Sequence, residues 1–193
     1  MRYIKGTLDA TFSYGGLEST IRGYVDSDFA GDLKKRKSTV GYVFTITGGV
    51  VSWVSKLQTI VALSTTEAEY MAATQACKEA TWMRKLMEGL GHKQKKIPLY
   101  CDSQSALHIA RNPAFHSKTK HIDVQYHFIH EVVENESVNF QKIHTKKNLA
   151  YALTKPVNTD KYHIVYILLC LVETKQHEDD KYNKDKRIIN DQV

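Results

Sequence analysis

The sequence predicts an α/β domain built on a mixed five-stranded sheet flanked by helices. Three observations carry that prediction. Two β-rich runs, residues 40–47 and 50–55, meet at Gly48-Gly49, a hairpin signal, and a third run at 21–26 precedes them. A long helical period over 65–90 follows. Shorter strands at 97–101 and 138–143 then alternate with helical stretches, the pattern of a sheet with crossover connections.

In order along the chain, residues 1–20 carry Gly6, Gly15 and Gly16 with little periodicity, and read as a remnant of an upstream unit. The domain proper is expected over 21–156. After the first strand, Asp28, Gly31 and Asp32 mark turns, and Lys34-Lys35-Arg36-Lys37 is a basic turn. The helix of 65–90 opens at Ser64, with Glu67 at capping-box spacing. Its apolar ridge is Ala68, Ala72, Ala76, Ala80, Met83, Met87 and Leu90. Glu69 lies about 200° around the helix from Glu67, beside that ridge. A carboxylate there is costly unless a cation or donor meets it. A boundary glutamate paired with a surface Lys or Arg has the same placement.

Gly89 and Gly91 end the helix, and the strand of 97–101 leads into Asp102. Helices are expected at 104–111, stopped by Asn112-Pro113, and at 119–134, with a short last helix at 147–154. Residues 157–193 form a tail, mostly charged and polar beyond 172 and expected to be partly disordered. A right-handed crossover through the long helix can set the strands of Asp26 and Cys101 side by side.

Composition narrows the function. The 193 residues carry a net charge of +6, which hints at an anionic partner. Cys77, Cys101 and Cys170 are too widely spaced for a zinc motif or a disulfide framework, so a reducing, intracellular setting is expected. The N-terminus reads without a signal peptide. The longest apolar run, 164–172, falls well short of the roughly 20 residues of a membrane span.

On this topology Asp26 and Asp102 open onto one crevice, and the long helix can bring Glu69 over it. Three clustered carboxylates repel unless a cation sits between them. All-oxygen ligation suits Mg²⁺ or Mn²⁺, and such a site can hold two ions about 3.5–4 Å apart. Asp102 before Ser103-Gln104 is equally placed to be a helix cap.

Several motifs carry a resemblance. They are Gly23-Tyr24-Val25-Asp26-Ser27-Asp28-Phe29-Ala30-Gly31-Asp32, Lys37-Ser38-Thr39-Val40-Gly41-Tyr42, and Leu63-Ser64-Thr65-Thr66-Glu67-Ala68-Glu69-Tyr70. Tyr100-Cys101-Asp102-Ser103-Gln104-Ser105-Ala106, Thr119-Lys120-His121-Ile122-Asp123 and Leu153-Thr154-Lys155-Pro156 continue the series. In this order they resemble the ribonuclease H region of copia-type LTR retrotransposon polyproteins, over about residues 1–165. The resemblance implies a C-terminal fragment with a ribonuclease H-like fold, once joined to a reverse transcriptase. It implies a metal-dependent endonuclease that cuts the RNA strand of an RNA:DNA hybrid. The family's first three metal carboxylates fall on Asp26, Glu69 and Asp102. Its fourth falls on Tyr151, a departure that implies weakened cleavage or binding without cutting.

Other polar residues are secondary candidates. Asp28 suits a turn or an auxiliary place at the site. His144, just before the last helix, suits product release or proton transfer. His116, His121, His127 and His130 lack a third zinc ligand nearby. Lys34 to Lys37, Lys118, Lys120, Lys142, Lys146 and Lys147 are candidates for a phosphate track. Ser103 and Ser105 are placed to meet the nucleic-acid backbone or a 2′-OH.

Overall fold

The computed structural model describes residues 20–111 and 120–155. Strands β1 (Ile21–Ser27), β2 (Thr39–Ile46), β3 (Gly49–Leu57), β4 (Ile97–Cys101) and β5 (Val138–Lys142) form one sheet in the order β3-β2-β1-β4-β5. β1 pairs antiparallel with β2 and parallel with β4, so the sheet is mixed at its centre. Strand alternation sorts the side chains. Ile21, Val25, Val40, Tyr42, Phe44, Ile97 and Leu99 join one core, which α1 (Thr65–Gly89) covers with Ala72, Ala76, Ala80 and Met83. α2 (Gln104–Arg111) and α3 (Lys120–Glu134) add Ala106, Leu107, Ile129 and Val132 to the same core.

The opposite face carries Val43 and Val50, and there the short α4 (Tyr151–Thr154) packs with Ala152 and Leu153. What lets α4 approach is Gly41, the register partner of Asp26. A Cβ on Gly41 would stand 2.6 Å from Thr154 Cγ2 and 3.0 Å from Leu153 Cβ. The bare glycine thus brings the end of α4 against the strand that carries Asp26.

Where the elements differ from expectation, the reasons are local. The hairpin turn is Thr47-Gly48, at φ 51° and 86°, and Gly49 is already in β3 opposite Ile46. Both glycines tolerate a positive φ, so the glycine pair did not fix which two residues turn. Thr47 is β-branched and held in the left-handed region, a position that Asn fills with less strain. Thr47→Asn is expected to stabilise the fold by about 1 kcal/mol, read as a higher urea midpoint; an unchanged midpoint would count against strain at this turn.

The cap of α1 is also shifted. Ser64 Oγ accepts from the Glu67 N–H at 3.1 Å, but the Glu67 carboxylate accepts from the Leu63 N–H at 2.8 Å rather than from Ser64. The buried ridge of α1 stops at Met87. Leu90 is 65% exposed because the helix ends at Gly89 and Leu90 no longer follows its face. β5 ends one residue early, at Lys142.

The stretch 147–154 is not one helix. A 3₁₀ turn (Thr145–Lys147) precedes α4, and Asn148 separates them by accepting from the Ala150 N–H at 3.2 Å. Among the described residues no helix is long and apolar enough to cross a membrane. The expected lead-in up to residue 19, the tail of 157–193, and His116, Lys118 and Thr119 lie outside the described residues.

Candidate active site

Asp26 and Asp102 each follow the last register pair between β1 and β4, Val25 with Cys101. Parallel pairing therefore delivers both carboxylates to the same end of the sheet. Glu69 enters from the start of α1, where the Ser27 backbone N–H donates to it. Ser103, not Asp102, caps α2, its Oγ accepting from the Ala106 N–H at 3.2 Å. The Asp102 side chain is thereby left for the crevice. Asn148 is buried and ties the two strands together. Its Nδ2 donates to Val25 O at 2.9 Å and reaches Asp102 Oδ1 at 3.5 Å.

Asp26 is wholly buried. Lys155 Nζ lies 2.9 Å from its Oδ2 and 3.3 Å from its Oδ1, and the Thr154 hydroxyl donates to Oδ2. The same ammonium stands 4.4 Å from the centre of the Tyr151 ring. Burial raises the pKa of Asp26, although Thr154 and Lys155 act against it. Burial draws Lys155 down, but its hydrogen bond to Asp26 and the charge there leave it above its ordinary value. For Glu69, burial and the charges of Asp26 and Asp102 push the pKa up to about 8. Glu69 Oε2 is buried and has no hydrogen-bond partner.

That orphaned oxygen tests whether the residues suit a metal ion. Ligand atoms of Glu69, Cys101 and Asp102 lie within 4.8 Å of one another, the one such group among the described residues, and Asp26 and the described histidines stand outside it. Two carboxylates around an unsatisfied oxygen fit a hard divalent cation. Cys101 is pushed up to about 12, chiefly by burial, and so remains a neutral thiol.

The secondary candidates fall elsewhere. Asp28 accepts from the Thr39 N–H and crowds Gly31, closing the turn after β1. Asp32 accepts from the Lys34 N–H at 2.9 Å, also within a turn. His144 caps the 3₁₀ turn, its Nδ1 accepting from the Lys146 N–H at 3.2 Å. Lys142 donates to the backbone oxygen of Asp102 at the rim. Ser105 is exposed on α2, and Lys120 begins α3, with its side chain outside the described set. Thr154 and Lys155 were missed as site residues. Their signals were the Leu153-Thr154-Lys155-Pro156 motif and spacing, since Lys155 falls one helical turn after Tyr151.

The architecture is a ribonuclease H-like fold. It superposes on the N-terminal RNase H domain of a Mycobacterium tuberculosis protein with a TM-score of 0.51. That match covers 70% of this chain and 91% of the other at 13% identity. By sequence, the chain belongs with the retrovirus-related Pol polyproteins of plant transposons, of copia type. It is 49% identical over 164 residues, 85% of its length, to the Pol polyprotein of transposon TNT 1-94 from Nicotiana tabacum. It is 37% identical over 160 residues, 82% of its length, to that of transposon RE2 from Arabidopsis thaliana. The aligned segments span only 12% and 11% of those two relatives. No protein-family model matches the chain.

Proposed function

We propose that this chain is a metal-dependent nuclease of the ribonuclease H type, acting on the RNA strand of RNA:DNA hybrids, with cleavage slowed by Tyr151. The observation that carries the reading is the buried, unpartnered Glu69 oxygen, close to Asp102 and under the charges of Asp26 and Asp102. Bound there, Mg²⁺ or Mn²⁺ supplies activation of a water and polarisation of the phosphate. Glu69 and Asp102 hold the cation, and Asn148 fixes Asp102 against β1. Lys142, Lys146 and Lys147, all exposed and just before Asn148 in the chain, are the proposed track for the hybrid's phosphates. The role proposed is intracellular, beside a reverse transcriptase during retrotransposon copying.

A second reading, binding without cutting, is favoured by one feature. Tyr151 offers a phenol where the family resemblance places a carboxylate, and Lys155 stands over its ring.

A labelled hybrid incubated with Mg²⁺ or Mn²⁺ tests both readings. Cleavage is expected to be metal-dependent, lost in Asp102→Asn and kept in Glu67→Gln, whose side chain only caps α1. Tyr151→Asp is expected to raise cleavage at low Mg²⁺ with little change in hybrid affinity. Cleavage that survives Asp102→Asn would overturn the assigned centre. Salt-sensitive binding with no cleavage under any metal would select the second reading.

A further inference from the structure

We infer that Lys155 supplies, as a tethered ammonium, the positive charge that a second divalent ion would otherwise bring to Asp26, so that this chain takes a single divalent ion between Glu69 and Asp102. The inference rests on the metal-site reading above and deepens it. Both oxygens of Asp26 are engaged by Lys155, at 2.9 and 3.3 Å, and Thr154 donates to one of them. An ion arriving at Asp26 has to displace these donors. Glu69 and Asp102 are placed differently, for Glu69 keeps an unpartnered buried oxygen, and a carboxylate oxygen of Glu69 lies within 4.8 Å of one of Asp102.

Charge leads to the same count. Three carboxylates carry three negative charges when ionised, and Lys155 returns one positive charge. The remainder matches one divalent cation. Lys142 is exposed and turned to a backbone oxygen at the rim, where solvent screens its charge.

The ammonium is held in place by more than Asp26. Lys155 directly follows α4, whose position is set by Gly41, and the Tyr151 ring lies beneath it at 4.4 Å. An aromatic face at residue 151 favours a cation bound to the chain itself. A phenol offers less to a hard metal ion than the carboxylate it replaces.

Counting bound Mn²⁺ by electron paramagnetic resonance on the full chain at neutral pH tests the inference without measuring activity. Wild type is expected to bind one ion. Lys155→Met, which keeps the aliphatic stem, is expected to bind two. Lys155→Arg, which keeps the charge, is expected to remain at one and guards against misfolding of the methionine variant. Two ions in wild type, or one in both wild type and a folded Lys155→Met, would overturn the inference and leave the metal site standing. No bound Mn²⁺ in any of the three would remove the metal site and the inference together.

Discussion

Glu69→Gln is expected to stabilise the metal-free protein at pH 8 by about 2–3 kcal/mol while abolishing hybrid cleavage. The sign follows from the raised pKa. Glu69 sits at about 8 in the fold against an ordinary value of 4.5. Between those values the folded chain holds a proton that the unfolded chain has released. Stability therefore falls as pH rises from about 4.5 to about 8, and levels off above. At about 1.36 kcal/mol per unit, the full shift would be worth on the order of 5 kcal/mol. Solvent reaches part of the carboxyl, so roughly half of that is expected. Glutamine carries no charge at any pH and escapes this loss.

Urea unfolding in EDTA at pH 5 and pH 8 measures the effect. The variant should gain little at pH 5 and most at pH 8. Mg²⁺ should then raise the wild-type midpoint and leave the variant unmoved, because a ligand that binds only the folded state stabilises it. A variant less stable than wild type at pH 8 would mean that Glu69 is paired rather than stranded.

Gly41→Val is expected to lower Tm by about 5–10 °C and to reduce cleavage. Two effects oppose one another. Valine is a better strand residue than glycine, worth up to about 1 kcal/mol. Its Cβ, however, would stand 2.6 Å from Thr154 Cγ2 and 3.1 Å from the Ala150 backbone oxygen. Backbone cannot yield as a side-chain tip can, and overpacking of this kind costs about 1–3 kcal/mol or more. Relief requires α4 to lift, which takes Thr154 and Lys155 away from Asp26. A thermal melt with an unchanged midpoint would show that α4 yields without cost.

Much of this was legible because it depends on period. The β-rich runs marked the strands and the apolar ridge marked the long helix, and the 3.6-residue turn separated Glu69 from Glu67. The structure puts Glu67 on the Leu63 N–H and Glu69 beside Ser27. The meeting of Asp26 with Asp102 followed from parallel crossover topology rather than from any local signal. What stayed hidden depends on three-dimensional closure. Helical spacing puts Asn148 one turn before Tyr151, at the edge of the crevice, but nothing local shows its burial: only 3% of it is exposed, with its Nδ2 on Val25 O. Lys155 enters the sequence reading only as a member of the Leu153-Thr154-Lys155-Pro156 motif, without a partner. Only the bare Gly41, distant in sequence, explains how α4 comes close enough for that lysine to reach Asp26.

The pairing of Lys155 with Asp26 joins residues 129 positions apart. Such closure carries a large loop entropy and depends on contacts remote in sequence, which slow folding. A chain leaving the ribosome presents Asp26 early and Lys155 some 129 residues later. Until then the carboxylates are separate, ionised and hydrated, with neither the cation nor the strand pairing that gathers them. The centre is thus assembled only when nearly the whole described chain has been made, and a shortened product ending before residue 155 lacks its last piece.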